Sequence, residues 1–209
     1  MIISISGMDN AGKTTQCQIL KAMYPNVFKS ILHIKDMPSF DVKNFDSDWW
    51  FKEDNALEFT HTLFKCLKER IDYAREEKDK IILFDKGTDF YDARIMATLI
   101  IKGMTYKKAE SFTKEIKKEY LNEDYEDLKL FLESGRYKRS NIDLSSQEGL
   151  RYNAYIELNK LILKQMTLDY IHIPANDTYT VTNTILGCIE YNLGEHGKGD
   201  DGFCRILKK

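Results

Sequence analysis

Apolar residues along this chain fall into short continuous runs separated by longer stretches with three-and-four spacing. Five runs have the pattern of strands, the first and third of them of a buried type: Ile2-Ile3-Ser4-Ile5-Ser6, Ser30-Ile31-Leu32-His33-Ile34, Lys80-Ile81-Ile82-Leu83-Phe84-Asp85, Leu128-Lys129-Leu130-Phe131-Leu132 and Tyr170-Ile171-His172-Ile173. Helical patterns lie between them. One helix starts at Thr15-Gln16-Cys17 directly after the first strand. A long one carries Leu57, Thr60, Phe64, Leu67, Ile71 and Ala74 on one stripe, with Phe59, Leu63 and Cys66 beside it, so two of its faces are expected to be covered. Another runs from about Asp92 to Lys102 and closes at Gly103. A charged helix with Ala109, Phe112, Ile116 and Tyr120 on one side follows. Ser145-Ser146-Gln147-Glu148 reads as a capping box opening a helix to about Gln165, and a last helix reaches about Tyr191. Strand alternating with helix predicts an α/β fold, a parallel sheet with helices on both faces, in one domain. The polar segment of about 133–147 shows no periodicity, and Gly194 to Lys209 reads as a loosely held tail.

Composition narrows the function classes. Among 209 residues, 43% are hydrophobic and 31% charged, as in an ordinary globular protein. A net charge of −2 supplies no broad field for nucleic acid or an anionic membrane. No apolar run reaches the length of a membrane span, and the first strand begins at once, so a cytoplasmic protein without a leader is expected. Cys17, Cys66, Cys188 and Cys204 lack metal-ligand spacing, and His33, His61, His172 and His196 are equally dispersed.

The chemistry is announced after the first strand. Gly7-Met8-Asp9-Asn10-Ala11-Gly12-Lys13-Thr14 fits the phosphate-cradling pattern G-x-x-x-x-G-K-[ST] between a strand and a helix. Gly7 and Gly12 allow the backbone close to a ligand, and the N–H groups from Asn10 to Thr15 converge on anionic oxygens. Lys13 adds a point charge toward the β/γ-phosphates, and the Thr14 hydroxyl is placed to ligate Mg²⁺. A chance match is a roughly 1-in-100 event for a chain of this length. Asp85 ends the third strand, where ligands gather in open α/β sheets, and is a candidate Mg²⁺- or substrate-directed acid. Asp9 sits inside the loop, where a carboxylate beside phosphates is costly unless it serves a ligand. Arg136, Lys138 and Arg139 form either a cationic lid over a transferring phosphoryl group or a basic surface loop. Trp49 and Trp50 offer a stacking surface or a core anchor.

Residues Ile5 to Gln16 resemble the loop of thymidylate kinases, G-x-D-G-x-G-K-[ST]-T-Q, including its internal aspartate and the Thr14-Thr15-Gln16 that follows. The resemblance extends to about Tyr191. Asp85-Lys86-Gly87 falls at that family's Asp-Arg-Tyr/Phe signature, Arg139 at its lid arginine, and Ile173-Pro174-Ala175 at its last-strand Ile-Asp-Ala. It implies a P-loop fold with a five-stranded parallel sheet of order 2-3-1-4-5, ATP and Mg²⁺ as cofactors, and a homodimer. Asp9 and Lys86 would face the acceptor, with Arg136 and Arg139 closing from the lid.

The acceptor side departs from the pattern. Lys86 replaces an arginine, and lysine cannot reproduce a bidentate grip. Phe90-Tyr91-Asp92-Ala93-Arg94-Ile95 stands where the family has Ser-Ser-x-Ala-Tyr-Gln, and Asp36-Met37-Pro38 is what remains of Arg-Glu-Pro-Gly-Gly. Phe59 can take the place of the base-stacking phenylalanine, and the base-reading arginine four residues later falls on Leu63. Arg70 or Arg75 supplies a replacement only if the helix register differs, and Arg94 is the other candidate contact.

The leading expectation is a nucleoside-monophosphate kinase acting on small nucleotides, with no membrane or nucleic-acid partner. A deoxynucleoside kinase, with Asp36 as the base for a neutral hydroxyl, is the alternative. A DNA-end or modified-base kinase would require a basic stripe that a net charge of −2 does not supply. A nucleotide switch is a further reading, but Asn159-Lys160-Leu161-Ile162 lacks the acid of a guanine-reading motif.

Overall fold

The computed structural model describes residues 1–8, 10–40, 56–77, 80–133 and 145–195. Five parallel strands form one sheet: β1 (Ile2–Gly7), β2 (Phe28–Leu32), β3 (Ile81–Asp85), β4 (Leu128–Leu132) and β5 (Ile171–Ile173). Their order is β2-β3-β1-β4-β5, as the resemblance implied. Six helices join them: α1 (Lys13–Met23), α2 (Ala56–Glu76), α3 (Thr88–Ile101), α4 (Tyr106–Tyr120), α5 (Gln147–Met166) and α6 (Thr178–Glu195).

Strand periodicity sorts the core into two layers. Ile3, Ile5, Ile81, Leu83, Leu128, Leu130 and Leu132 pack toward the side of Cys17, Leu20, Ile185 and Ile189, on α1 and α6. Ile2, Ile82, Phe84 and Phe131 pack on the other side with α2, α3, α4 and α5. In α2 both expected stripes are buried, from Phe59 to Ala74, with Leu57 left exposed.

Several boundaries move, those of β2 and α3 for tertiary reasons. β2 starts two residues before the expected Ser30, because Phe28 pairs with Ile81 through a bulge, and Ile34–Asp36 turns into a short 3₁₀ helix. α3 starts at Thr88, four residues before Asp92, because the Glu126 side chain accepts from the Thr88 N–H and hydroxyl at 2.6 and 2.7 Å. That cap comes from 38 residues away, so local spacing cannot announce it. The cap of α5 is Ser146, bonded to the Gly149 N–H at 3.0 Å, one residue later than the box read from Ser145 and Glu148. α6 continues through Gly194 to Glu195, past the expected end at Tyr191, and the rest of the expected tail lies outside the described residues.

Two features of this frame are open to measurement. At Gly7, φ is +148° and an added Cβ would meet the Leu132 carbonyl at 2.6 Å, a contact between paired strands with no flexible partner to yield. Gly7→Ala should cost about 2 kcal/mol of unfolding free energy in a denaturant titration, and unchanged stability would contradict the close approach. Asp92 accepts from Lys117 Nζ at 2.6 Å, yet burial pushes its carboxyl from 3.8 up to about 6, against the lowering pull of Lys117. The native state therefore keeps a proton that the unfolded chain releases. The stability this confers is present below the unfolded pKa and is lost as pH rises through about 6. Urea unfolding of wild type and Asp92→Asn across this window should show wild type losing ground to the variant as pH rises, and a constant difference would overturn the reading.

Candidate active site

The carboxyl ends of β1 and β3 bring the motif residues together. After Gly7 the chain turns through Asn10 (φ 64°) and Gly12 (φ 86°) into α1, where Gly12 takes the N-cap position. The Ala11 N–H donates to the Met8 carbonyl at 3.1 Å, closing the loop. Lys13, 5% exposed, donates from Nζ to the same carbonyl at 2.7 Å. A cavity of about 260 Å³ opens between Asn10, Ala11 and Thr15 on the loop side and Ile173, Pro174 and Asn176 after β5. Gln16 ties α1 to α6 beneath that cavity. Its Nε2 donates to the Thr178 carbonyl at 3.3 Å, and its Oε1 accepts from Thr182 Oγ1 at 2.7 Å.

Thr14 Oγ1 donates to Asp85 Oδ2 at 2.5 Å, joining the start of α1 to the end of β3. Asp85 is 3% exposed, and its Oδ1 is buried with no hydrogen-bond partner. Such an oxygen wants a cation or a donor. A hydroxyl and a carboxylate beside phosphate-binding N–H groups suit Mg²⁺, which keeps several waters and shares substrate phosphates. Among the described residues no cluster of three or more His, Cys, Asp or Glu could hold a metal by itself. His33 joins the group from the end of β2, with Nδ1 3.4 Å from Asp85 Oδ2. Its dispersal in sequence gave no sign of this, which follows from β2 pairing with β3.

After β3, three cations lie near one aromatic ring. Phe90, on the first turn of α3 and 2% exposed, has Lys86 Nζ at 4.9 Å, Arg94 Cζ at 5.8 Å and Lys13 Nζ at 5.9 Å from its ring centroid. Arg94 Nε also donates to the Tyr155 hydroxyl at 2.8 Å, which fixes it against α5. Lys86 has a φ of +78°, an uncommon conformation for a residue with a side chain.

Other expected site residues separate from this group. Phe59 is 1% exposed in the core with Leu63, so its ring lacks the open face that stacking on a base requires. Asp36 stands exposed at the end of the 3₁₀ turn. Asp9, Arg136, Lys138, Arg139, Trp49 and Trp50 lie outside the described residues.

Arg70 is the residue that spacing alone underrates. It is fully buried, with its guanidinium 4.0 Å from the Phe84 ring centroid and 5.6 Å from that of Tyr91, and Nη1 donates to the Lys86 carbonyl at 2.9 Å. Burial lowers its pKa, while Tyr91, Glu126 and Asp85 pull it upward. Its position continues the apolar strip Phe59, Leu63, Cys66, and a charge on such a strip is the signal that marks it.

The sheet order and the complete phosphate loop are those of a P-loop fold, and the relatives of the chain are kinases, phosphotransferases. Within that class the chain is thymidylate kinase-like. It is 28% identical over 192 residues to the thymidylate kinase of Helicobacter hepaticus, covering 84% of this chain and 90% of that one. The structure of thymidylate kinase from Candida albicans matches with a TM-score of 0.64 at 19% identity, over 91% of each chain. Deoxyadenosine kinase from M. mycoides matches with a TM-score of 0.60 at 14% identity, over 91% of this chain and all of that one. No protein-family model matches the chain. Among the described residues no helix is long and apolar enough to cross a membrane.

Lys13→Ala tests the donor side. It should abolish ATP-dependent transfer while leaving the fold in place, read as ADP formation together with a thermal melt. Full turnover with an unchanged melt would contradict the assignment.

Proposed function

We propose that the chain transfers the γ-phosphoryl group of ATP to a nucleoside monophosphate. The observation that carries this reading is the trio Lys13, Lys86 and Arg94 around Phe90. The three cationic heads lie 4.9 to 5.9 Å from one ring centroid, and positive charge gathered in this region favours both a donor γ-phosphate and an acceptor phosphate. A neutral nucleoside hydroxyl would need instead a carboxylate base, and Asp36, the candidate for it, stands exposed.

An acceptor phosphate is already a nucleophile, so the protein's work is alignment and charge neutralisation. The loop N–H groups and Lys13 hold the donor phosphates. Lys86 and Arg94 seat the acceptor phosphate beside the Phe90 ring. Bound Mg²⁺ would supply charge neutralisation on the donor phosphates, held by Thr14 and by Asp85, whose Oδ1 is the unpartnered oxygen. Asp9 would face the acceptor, while Arg136 and Arg139 would close over the transferring group. Arg139→Ala is then expected to lower kcat at least tenfold, about 1.4 kcal/mol, with little change in ATP binding, and wild-type kcat would make the segment ordinary surface. A cytoplasmic homodimer belongs to the same proposal, by resemblance to thymidylate kinases.

The acceptor's base is where this chain differs most from the resemblance. With Phe59 in the core and Leu63 at the position expected for the base-reading arginine, the hydrogen bonds that would reject a wrong base are reduced. The Candida albicans thymidylate kinase is itself described by broad substrate specificity. The expected outcome across dTMP, dUMP, dCMP, dGMP and dAMP at fixed ATP is that dTMP is not singled out by a large factor in kcat/KM. Either several pyrimidine monophosphates are used, or another base is preferred through Arg94. A preference of a hundredfold or more for dTMP would show that another residue does the reading.

A further inference from the structure

The turn that presents Lys86 is held through its backbone. The Lys86 N–H donates to the Ile5 carbonyl at 3.1 Å, and the Lys86 carbonyl accepts from Arg70 Nη1 at 2.9 Å. The Gly87 N–H donates to Ser6 Oγ at 2.9 Å, and its carbonyl accepts from the Phe90 N–H at 3.2 Å. The Thr88 N–H donates to Glu126 Oε1 at 2.6 Å. Two of these partners are buried ionisable side chains of opposite sign, Arg70 at 0% and Glu126 at 9% exposure. They reach the turn from different elements, α2 and the segment leading into β4.

Each holds more hydrogen-bonding capacity than its contacts use. Arg70 Nε and Nη2, and Glu126 Oε2, are buried without hydrogen-bond partners. Burying charges with unfilled capacity is costly. A core that needed only filler at these positions would do better with apolar residues of similar volume. Lys86, at φ +78°, also adopts a conformation that L-residues avoid and that its surroundings must impose.

We infer that Arg70 and Glu126 are a buried pair of positioning residues that clamp the Lys86-Gly87-Thr88 turn, fixing the Lys86 ammonium for the acceptor phosphate. The inference rests on the proposed monophosphate acceptor for its functional consequence, but not for the clamp itself. Arg70 holds the turn at the Lys86 carbonyl, which imposes the left-handed backbone. Glu126 holds it two residues on, at the first N–H of α3, where a helix N-terminus favours negative charge. Gly87 leaves room between them. A Cβ there would meet Glu126 Oε2 at 2.7 Å and Ser4 Oγ at 2.9 Å, so a larger residue would displace the carboxylate. Both clamping bonds end on the turn that carries Lys86, while the donor phosphates are held by the loop N–H groups and Lys13, so loss of the clamp should act mainly on the acceptor.

The full-length chain is measured in two ways, as wild type and as Arg70→Met, Arg70→Lys, Glu126→Gln and Gly87→Ala. The first is amide hydrogen exchange at residues 86–88 without nucleotide. The second is KM for a nucleoside monophosphate against KM for ATP. Arg70→Met and Glu126→Gln should speed exchange at the turn at least tenfold and raise the acceptor KM at least tenfold. ATP KM should stay within twofold, and Arg70→Lys should recover part of both effects. If Arg70→Met does not fold, Gly87→Ala is expected to give the same pattern with both charges present. Exchange at the turn no faster than wild type, or unchanged acceptor KM with only a lower Tm, would overturn the inference. If wild type transfers to no monophosphate, the acceptor reading fails, while hydrogen exchange still decides whether the clamp exists.

Discussion

The hydrogen bond from Thr14 to Asp85 is the contact on which the site depends. It joins the first residue after the loop lysine to the last residue of β3, and so sets where the donor loop lies relative to the acceptor turn. Its geometry follows from the sheet. β1 and β3 pair in parallel with Ile5 opposite Asp85, so the two strands deliver their loops side by side. Gly7 admits the Leu132 carbonyl on the other flank, which lets β4 close against β1 where the loop begins. Two partly satisfied groups then mark the chemistry: Asp85 Oδ1, at the donor side, and the Arg70 guanidinium, under the acceptor turn.

The donor half was legible in the sequence because it is built locally. A strand, a glycine loop and a helix start occupy one continuous stretch, and residue spacing is enough to place Lys13 and Thr14. The strands were legible for a similar reason, since buried parallel strands such as β1 and β3 read as short apolar runs. What the sequence hid was built across distance. The start of α3 depends on Glu126, the neighbours of Asp85 include His33, and Arg70 supports a turn 16 residues away. Phe59 was suggested as a stacking residue by its position in the resemblance, and the packing of α2 places it in the core.

The acceptor half also explains why the departures from the thymidylate kinase pattern occur together. Phe90 places an aromatic ring where a small polar residue was expected, and it is around this ring that Lys86 and Arg94, both substitutions against the pattern, gather with Lys13. A ring face attracts cations. On the proposed reading, a phosphate group entering beside this ring gains from these charges. On the same reading this favours a phosphate acceptor over a neutral one, while the structures the chain is similar to include both thymidylate and deoxyadenosine kinases.

That preference is best tested by binding alone, without turnover. Calorimetric titration of each deoxynucleoside and its own 5′-monophosphate, in the presence of a non-transferable ATP analogue and Mg²⁺, compares ligands that differ only in the phosphate. The account predicts that for the preferred base the monophosphate binds at least tenfold more tightly than the nucleoside, and that Lys86→Ala removes most of this difference. Equal affinity for the two, or a preference for the nucleoside, would contradict it.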